Sequence, residues 1–123
     1  MAKVFLDTNI YIDVIKRRTD AQLEDFQDQD IFISPLSVHI LTYTYKYKVP
    51  NNELDVNPEF FNIVNLDNDV VKNALLGPTD DFEDNVQLHS AAKAQCDLFL
   101  TKDKKLLNLK FFGKTKIIQD LTN

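Results

Sequence analysis

Residues 3–17 of the chain read KVFLDTNIYIDVIKR, and this stretch decides the fold class. Residues 3–6 form a short apolar run of side chains that favour strands. Residues 7–9 (Asp-Thr-Asn) follow at once, and these residue types commonly begin helices. From Ile10 to Arg17 the apolar residues recur on one side of a helix. The stretch therefore predicts a strand that passes directly into a helix, with Asp7 at the junction.

The same alternation continues along the chain. Further strands are predicted at residues 31–33, 63–66, 98–100 and 115–118, and further helices at about 19–28, from 35 with helical spacing to 47, at 68–76 and at 81–95. Residues 49–62 are rich in turn formers and predict a short helix or a loop. Alternating strands and helices favour an α/β fold, in which helices cover both faces of a central parallel sheet of four or five strands. No linker or repeat interrupts residues 1–123, so we expect a single domain.

The composition narrows the class of protein. With 44% hydrophobic and 27% charged residues, the chain can form a core and remain soluble. Its 1 cysteine cannot form an internal disulfide, and no apolar run is long enough to cross a membrane, so we expect a cytoplasmic protein without a membrane partner. The net charge of -5 argues against strong electrostatic capture of nucleic acid. No Gly-rich loop predicts a nucleotide cofactor site.

Two aspartates follow predicted strands. Asp7 comes directly after the first strand, and Asp103 lies three residues past Leu100, which ends the fourth. Because the carboxyl ends of parallel strands share one edge of a sheet, both side chains should lie at that edge. Ligands bind at this edge in open α/β sheets.

A third aspartate is predicted to face the same edge from a helix. Asp84 lies in the first turn of the helix at 81–95, in line with Leu88, Ala91 and Ala92, the stripe expected to pack on the sheet. Helix amino termini follow strand carboxyl ends in this architecture. A carboxylate on a packing face is unfavourable unless it is paired, hydrogen-bonded or bound to metal.

Three converging carboxylates would repel one another, and a hard divalent cation would relieve that repulsion. Such an open site could hold a phosphate oxygen and activate water. Each aspartate also has a simpler reading. Asp7 could be a helix cap, Asp81 and Asp84 could be first-turn acids that oppose the helix dipole, and Asp103 could pair with neighbouring lysines.

Three segments together resemble the motifs of PIN-domain ribonucleases. Residues 5–10 (FLDTNI) resemble the opening motif of the family, residues 81–84 (DFED) its acidic helix start, and residues 99–103 (FLTKD) its late Thr-x-Asp segment. Their order and spacing fit over nearly the whole chain. The resemblance implies a three-layer α/β/α PIN-like fold with an acidic pocket.

In such a pocket Asp7, Asp84 and Asp103 would take the metal-site and catalytic positions, with Mg²⁺ or Mn²⁺ as the cofactor. The resemblance also implies supporting residues. Asn9 and Thr101 would hydrogen-bond to those carboxylates.

Asp81 would add an outer carboxylate. The family usually carries a glutamate after the second strand, in a pattern like Ser-x-x-Ser/Thr-x-x-Glu. Residues 34–39 read SPLSVH, and we expect His39 in that place. Because His39 also lies three residues from Leu36 and four from Tyr43, it could equally be a packed helix histidine without a ligand role.

The leading functional hypothesis is a metal-dependent endoribonuclease that resembles the VapC toxins of bacterial toxin–antitoxin pairs. Its partners would be RNA and a cognate antitoxin, and a homodimer is compatible with the family. The alternative is a catalytically degenerate PIN domain that binds RNA or protein, a hypothesis that the histidine at position 39 favours. Phosphatase and receiver-domain readings are disfavoured by Asn9 and Thr8, which stand where those classes need acidic residues.

Overall fold

A computed structural model describes residues 1–16, 26, 28–51, 54 and 60–121. The six strands are β1 (Lys3–Leu6), β2 (Asp30–Ile33), β3 (Phe61–Ile63), β4 (Leu98–Leu100), β5 (Phe111–Phe112) and β6 (Thr115–Ile118). The five helices of the described residues are α1 (Thr8–Lys16), α2 (Pro35–Thr44), α3 (Asn68–Leu76), α4 (Phe82–Lys93) and α5 (Lys104–Leu109). None of these helices is long and apolar enough to span a bilayer.

The strands form one sheet in the order β3-β2-β1-β4-β6-β5. The five strands from β3 to β6 in this order pair in parallel, and only the short edge strand β5 pairs antiparallel, with β6. The α/β class and the central parallel sheet predicted from the sequence are confirmed. The register pairs Leu6 with Leu100, so the carboxyl ends of β1 and β4 lie side by side.

Alternate residues of the central strand serve two cores, which makes the fold a three-layer α/β/α structure. Val4 and Leu6 belong to the core on one face, together with Leu41 of α2. Phe5 belongs to the core on the other face, together with Leu88 of α4. All five side chains are fully buried, so the sheet is covered on both sides.

The helix starts follow local capping chemistry. Ser34 accepts a hydrogen bond from the backbone of Leu36, and Pro35 occupies the first helical position of α2. Asp67 caps α3 in the same way by accepting from the backbone of Val70, at 3.0 Å. At the other end of α3, Gly77 has a φ of 138°, a value that favours glycine.

Some boundaries differ from the sequence-based predictions. The third strand occupies Phe61–Ile63 rather than 63–66, and the helix α5 and strand β5 were not predicted. With six and two residues, these elements are too short to give a periodic signal. Most of the helix predicted at 19–28 and half of the turn-rich stretch at 49–62 lie outside the described residues.

The apolar face predicted for α2 is only partly correct, because Leu36 and Ile40 pack half-buried against the cores but Tyr43 does not. The buried side chains of this helix are Ser37 and Leu41, whereas His39 is exposed and Tyr43 is 77% exposed. The polar residue Ser37 takes a core position, so the apolar pattern gave a misleading face.

A candidate acidic site at the strand ends

Asp7 lies at the carboxyl end of β1 and is almost fully buried, with 4% of its surface exposed. Its Oδ1 accepts a hydrogen bond from the backbone N–H of Thr8 at 2.8 Å, and its Oδ2 accepts one from the hydroxyl of Thr101 at 2.7 Å. The pKa of Asp7 is nevertheless raised to about 6, chiefly by burial and to a smaller extent by the charges of Glu83 and Asp103, which together outweigh the lowering effect of the two hydrogen bonds.

The hydroxyl of Thr101 links Asp7 to Asp103. While it donates to Asp7, its Oγ1 accepts the backbone N–H of Asp103 at 3.0 Å. Asp103 is half-buried and caps α5, with Oδ1 accepting from the backbone of Lys105 at 2.8 Å. The strand-end topology therefore brings the two aspartates together, and Thr101 supports Asp7 as expected.

Asp84 faces the same site from the first turn of α4. It is half-buried, and its pKa is raised to about 7, first by burial and then by the charges of Asp81, Asp7, Asp103 and Glu83. All four acidic neighbours thus act on one carboxyl group. Within its predicted stripe, Leu88 and Ala91 are buried, but Ala92 is exposed.

Asp81 is the N-cap of α4. Its Oδ1 accepts the backbone N–H of Asp84 at 3.0 Å, and the residue is exposed. Asp81 therefore caps α4, one position before the first turn predicted for it from the sequence, and its charge also acts on Asp84.

Glu83 was not predicted from the sequence. It is half-buried, and burial raises its pKa, as does Asp81, whereas a hydrogen bond from the Thr8 side chain lowers it. Its charge raises the pKa values of both Asp7 and Asp84. Glu83 is therefore a fourth carboxylate of this site, supplied by α4.

A buried polar chain lies beneath the carboxylates. The hydroxyls of Thr8 and Ser37 are 2.9 Å apart, and the Ser37 hydroxyl lies 3.4 Å from Oε1 of Gln87. Gln87 lies one helical turn after Glu83 and is fully buried, yet its Nε2 has no partner among the described residues. In the sequence, the spacing of four residues between Glu83 and Gln87 was the available sign that both polar side chains lie on one face of α4.

Two predicted site residues are not joined to the carboxylates. Asn9 is exposed, and its side chain makes no hydrogen bond within the described part of the chain. His39 is also exposed, and its ring stacks on Tyr43 with centroids 6.0 Å apart. The reading of His39 as a packed histidine on the apolar side of its helix was wrong.

The assignment of His39 to the glutamate position was wrong by one residue. In the spacing Ser-x-x-Ser-x-x-Glu, Ser34 and Ser37 are followed by Ile40. Ile40 is half-buried and packs against the core that contains Leu41. The helix α2 therefore supplies neither a carboxylate nor an imidazole at that place.

The chemistry of this site suits a hard divalent cation. Its donors are carboxylate oxygens, and their mutual charges raise the pKa values of Asp7 and Asp84, which a cation would reverse. Across the described residues, however, no three His, Cys, Asp or Glu side chains form a ready metal-binding group. The carboxylates share one electrostatic field without forming a closed set of ligands.

Comparison with known proteins agrees with this geometry. A family model described as a PIN domain matches residues 3–105. A chain in the crystal structure of VapBC2 from Rickettsia felis, bound to a DNA fragment from its promoter, superposes with a TM-score of 0.68 and 14% identity, over 94% of this chain and 97% of that chain. VapC20 of Mycobacterium tuberculosis, a toxin that cleaves the sarcin-ricin loop, gives a TM-score of 0.67 and 11% identity over 92% and 98%. No curated protein gives a significant match.

Proposed function

The chain belongs to the PIN-domain family, and on that basis we propose that it is a divalent-metal-dependent endoribonuclease that acts as a VapC-type toxin. The observation that carries this proposal is the bridge made by the Thr101 hydroxyl, which joins Asp7 to the backbone of Asp103. The charges of both aspartates also help to raise the pKa of Asp84, so the three carboxyl groups form one site. A buried, hydrogen-bonded acidic group of this kind is unfavourable to the fold, which supports a role in function.

Asp7, Asp84 and Asp103 would hold Mg²⁺ or Mn²⁺, with Glu83 as an additional carboxylate. A cation bound there would lower the pKa of a water nucleophile and stabilise negative charge on the phosphate.

The protein's own side chains prepare this site. Thr101 fixes the orientation of Asp7, and the hydroxyl of Thr8 holds Glu83 beside it. A carboxyl group at Asp84 with a pKa of about 7 is partly protonated at neutral pH, so cation binding would release its proton.

The partner proposed for this toxin is a cognate antitoxin, in keeping with the assembly named for the similar VapBC2 structure. An acidic pocket of four carboxylates would accept a basic side chain of that antitoxin. The proposal also includes a cytoplasmic location and association into a homodimer.

The proposal is tested by RNA cleavage. Purified wild type, Asp7→Asn and Asp84→Asn are incubated with a labelled RNA in Mg²⁺, in Mn²⁺ and in a chelator. We expect cleavage only by wild type with metal, and a loss of about 100-fold or more in each variant, since each removes a proposed ligand charge. Equal trace cleavage by all three proteins would refute the catalytic role.

A second candidate function is a PIN domain that binds RNA without cleaving it. The observation in its favour is that α2 places Ile40 where the family pattern has a glutamate. Replacement of Ile40 by glutamate distinguishes the two. A large gain of Mg²⁺-dependent cleavage would show that the native site is impaired, whereas an active wild type with no gain would show that Glu83 suffices.

A further inference from the structure

The carboxyl end of α2 is held in a fixed shape. The backbone N–H of Lys46 donates to the carbonyl of Tyr43 at 3.3 Å, and that of Tyr47 donates to the carbonyl of Thr42 at 3.0 Å. This pair of bonds forms a Schellman motif, in which the residue after the cap adopts a left-handed conformation. That residue is Lys46, with a φ of 54°, at a position where glycine has no steric cost.

Aromatic side chains cover this end of the helix. Tyr43 is 77% exposed and stacks on His39, whereas Tyr45 stacks on Tyr47 with centroids 6.3 Å apart. The ammonium group of Lys16, at the end of α1, lies 4.7 Å from the ring centroid of Tyr45 and 4.9 Å from that of Tyr47. Cation–π contacts therefore hold one ring pair against α1 and leave Tyr43 facing solvent.

We call the surface formed by the rings of His39, Tyr43, Tyr45 and Tyr47 the aromatic platform. It surrounds an open groove of about 670 Å³, and its lining residues are His39, Thr42, Tyr43, Thr44, Lys46 and Tyr47.

The segment that carries the platform is basic in an acidic protein. The chain has a net charge of -5, yet residues 31–50 contain no aspartate or glutamate and carry Lys46 and Lys48. Both lysines are exposed.

We propose that the aromatic platform binds unpaired bases of a single-stranded RNA segment. The exposed face of Tyr43 would stack on a base, and Lys46 and Lys48 would contact the phosphate backbone. This inference rests on the proposed ribonuclease function and deepens it, since it names a site that holds substrate outside the carboxylate group.

The position of the platform suits that role. Ser37 lies beneath the carboxylates, and Tyr43 lies six residues further along α2, a distance of about 9 Å at 1.5 Å per residue. A short RNA strand could reach both sites. The platform would also supply the electrostatic attraction for RNA that the overall charge of the chain does not.

The chemistry favours RNA over a protein partner. Tyrosine and histidine rings flanked by ammonium groups match the faces of bases and the charge of phosphates. Two exposed lysines, Lys46 and Lys48, flank the rings, and residues 31–50 carry no acidic side chain, so charge complementarity favours a polyanion.

The test measures RNA binding without cleavage. A fluorescently labelled single-stranded oligoribonucleotide is titrated in a chelator, and its anisotropy is followed for wild type, Tyr43→Leu and Tyr43→Phe. We expect Tyr43→Leu to weaken binding about tenfold, because one stacked base is lost, and Tyr43→Phe to stay within about twofold, because the ring remains. Phe111→Leu removes another exposed ring, 57% exposed on β5, and should leave binding unchanged.

Two further measurements separate stacking from charge and from folding. On an oligonucleotide with abasic sites, Tyr43→Leu should bind as weakly as wild type, since neither can stack. Lys46→Gly keeps the Schellman motif and relieves the left-handed lysine, so it should raise the Tm yet weaken RNA binding about threefold, through the loss of one phosphate contact.

Equal binding by wild type and Tyr43→Leu would overturn the platform and leave the groove as a surface for a protein. A Tyr43→Leu defect that persists on abasic RNA would overturn the stacking claim. Neither result depends on cleavage, because metal is absent. The proposed nuclease activity stands or falls separately, on the aspartate variants.

Discussion

Replacing Asp7 with asparagine should stabilise the metal-free protein at neutral and alkaline pH. The carboxylate is 4% exposed, and its pKa is raised from 3.8 to about 6, chiefly by burial. Ionisation of the Asp7 carboxyl group therefore lowers the stability of the folded protein. Asparagine has the same shape and removes the charge.

The magnitude follows from the pKa shift. About two pKa units correspond to about 3 kcal/mol of destabilisation once Asp7 is ionised in both the folded and the unfolded state. The amide turns one acceptor of Asp7 into a donor and weakens one of the bonds from Thr8 and Thr101, a loss of about 1 kcal/mol. The net expected gain at pH 8 is about 2 kcal/mol.

The sign of the pH dependence is fixed by the same shift. Because the folded state holds the Asp7 proton more tightly, wild-type stability falls as pH rises from about 4 to about 6, the interval between the two pKa values. At pH 4 the folded carboxyl is protonated and the unfolded one is about 40% protonated, so only about 0.5 kcal/mol of the penalty remains, and Asp7→Asn should be no more stable than wild type there.

Thermal unfolding in a chelator at pH 8 and pH 4 checks this prediction. A gain of 2 kcal/mol should raise the Tm by about 8 °C at pH 8. Asp80→Asn removes the same charge at an exposed position and should change stability by about 0.5 kcal/mol or less. An Asp7→Asn variant that is less stable at pH 8, or equally stabilised at both pH values, would show that the buried charge of Asp7 does not oppose folding.

Other perturbations have equally definite outcomes. Thr101→Val should lower the free energy of unfolding by about 1–3 kcal/mol in urea, because Asp7 loses its donor and the N–H of Asp103 its acceptor; an unchanged midpoint would contradict the bridge. Glu83→Gln should lower the pKa of Asp84 in a carboxyl NMR titration, and a rise would exclude Glu83 from the site. His39→Ala should leave Mn²⁺ affinity within about twofold, since the exposed ring stacks on Tyr43; a strong loss would restore it as a ligand.

The sequence was sufficient to place Asp7 and Asp103, because strand polarity and parallel pairing determine which edge a strand-end residue occupies. It also predicted Asp84 from its line with Leu88. It was not sufficient to assign Glu83, which reads equally well as a first-turn acid that opposes the helix dipole. The side chain of Thr8, which donates a hydrogen bond to Glu83, comes from a distant part of the sequence.

The error at α2 has a physical origin. Ser37 is fully buried because its hydroxyl meets Thr8 and Gln87, so a polar residue occupies a core position of the helix. A prediction based on hydrophobic periodicity places a serine on the exposed side of a helix. The face of α2 predicted to be buried was therefore displaced around the helix axis. His39 was thereby turned inward, although its ring lies in solvent on Tyr43.

Calorimetric titration of the metal-free protein with Mn²⁺ tests the proposed metal site itself, because it measures the binding of the cation that the carboxylates are proposed to hold. We expect saturable binding to wild type, weakened about tenfold or more in Asp7→Asn and in Asp84→Asn, with proton release from Asp84 near neutral pH. No binding to wild type, or equal binding to wild type and both variants, would contradict the proposed metal site.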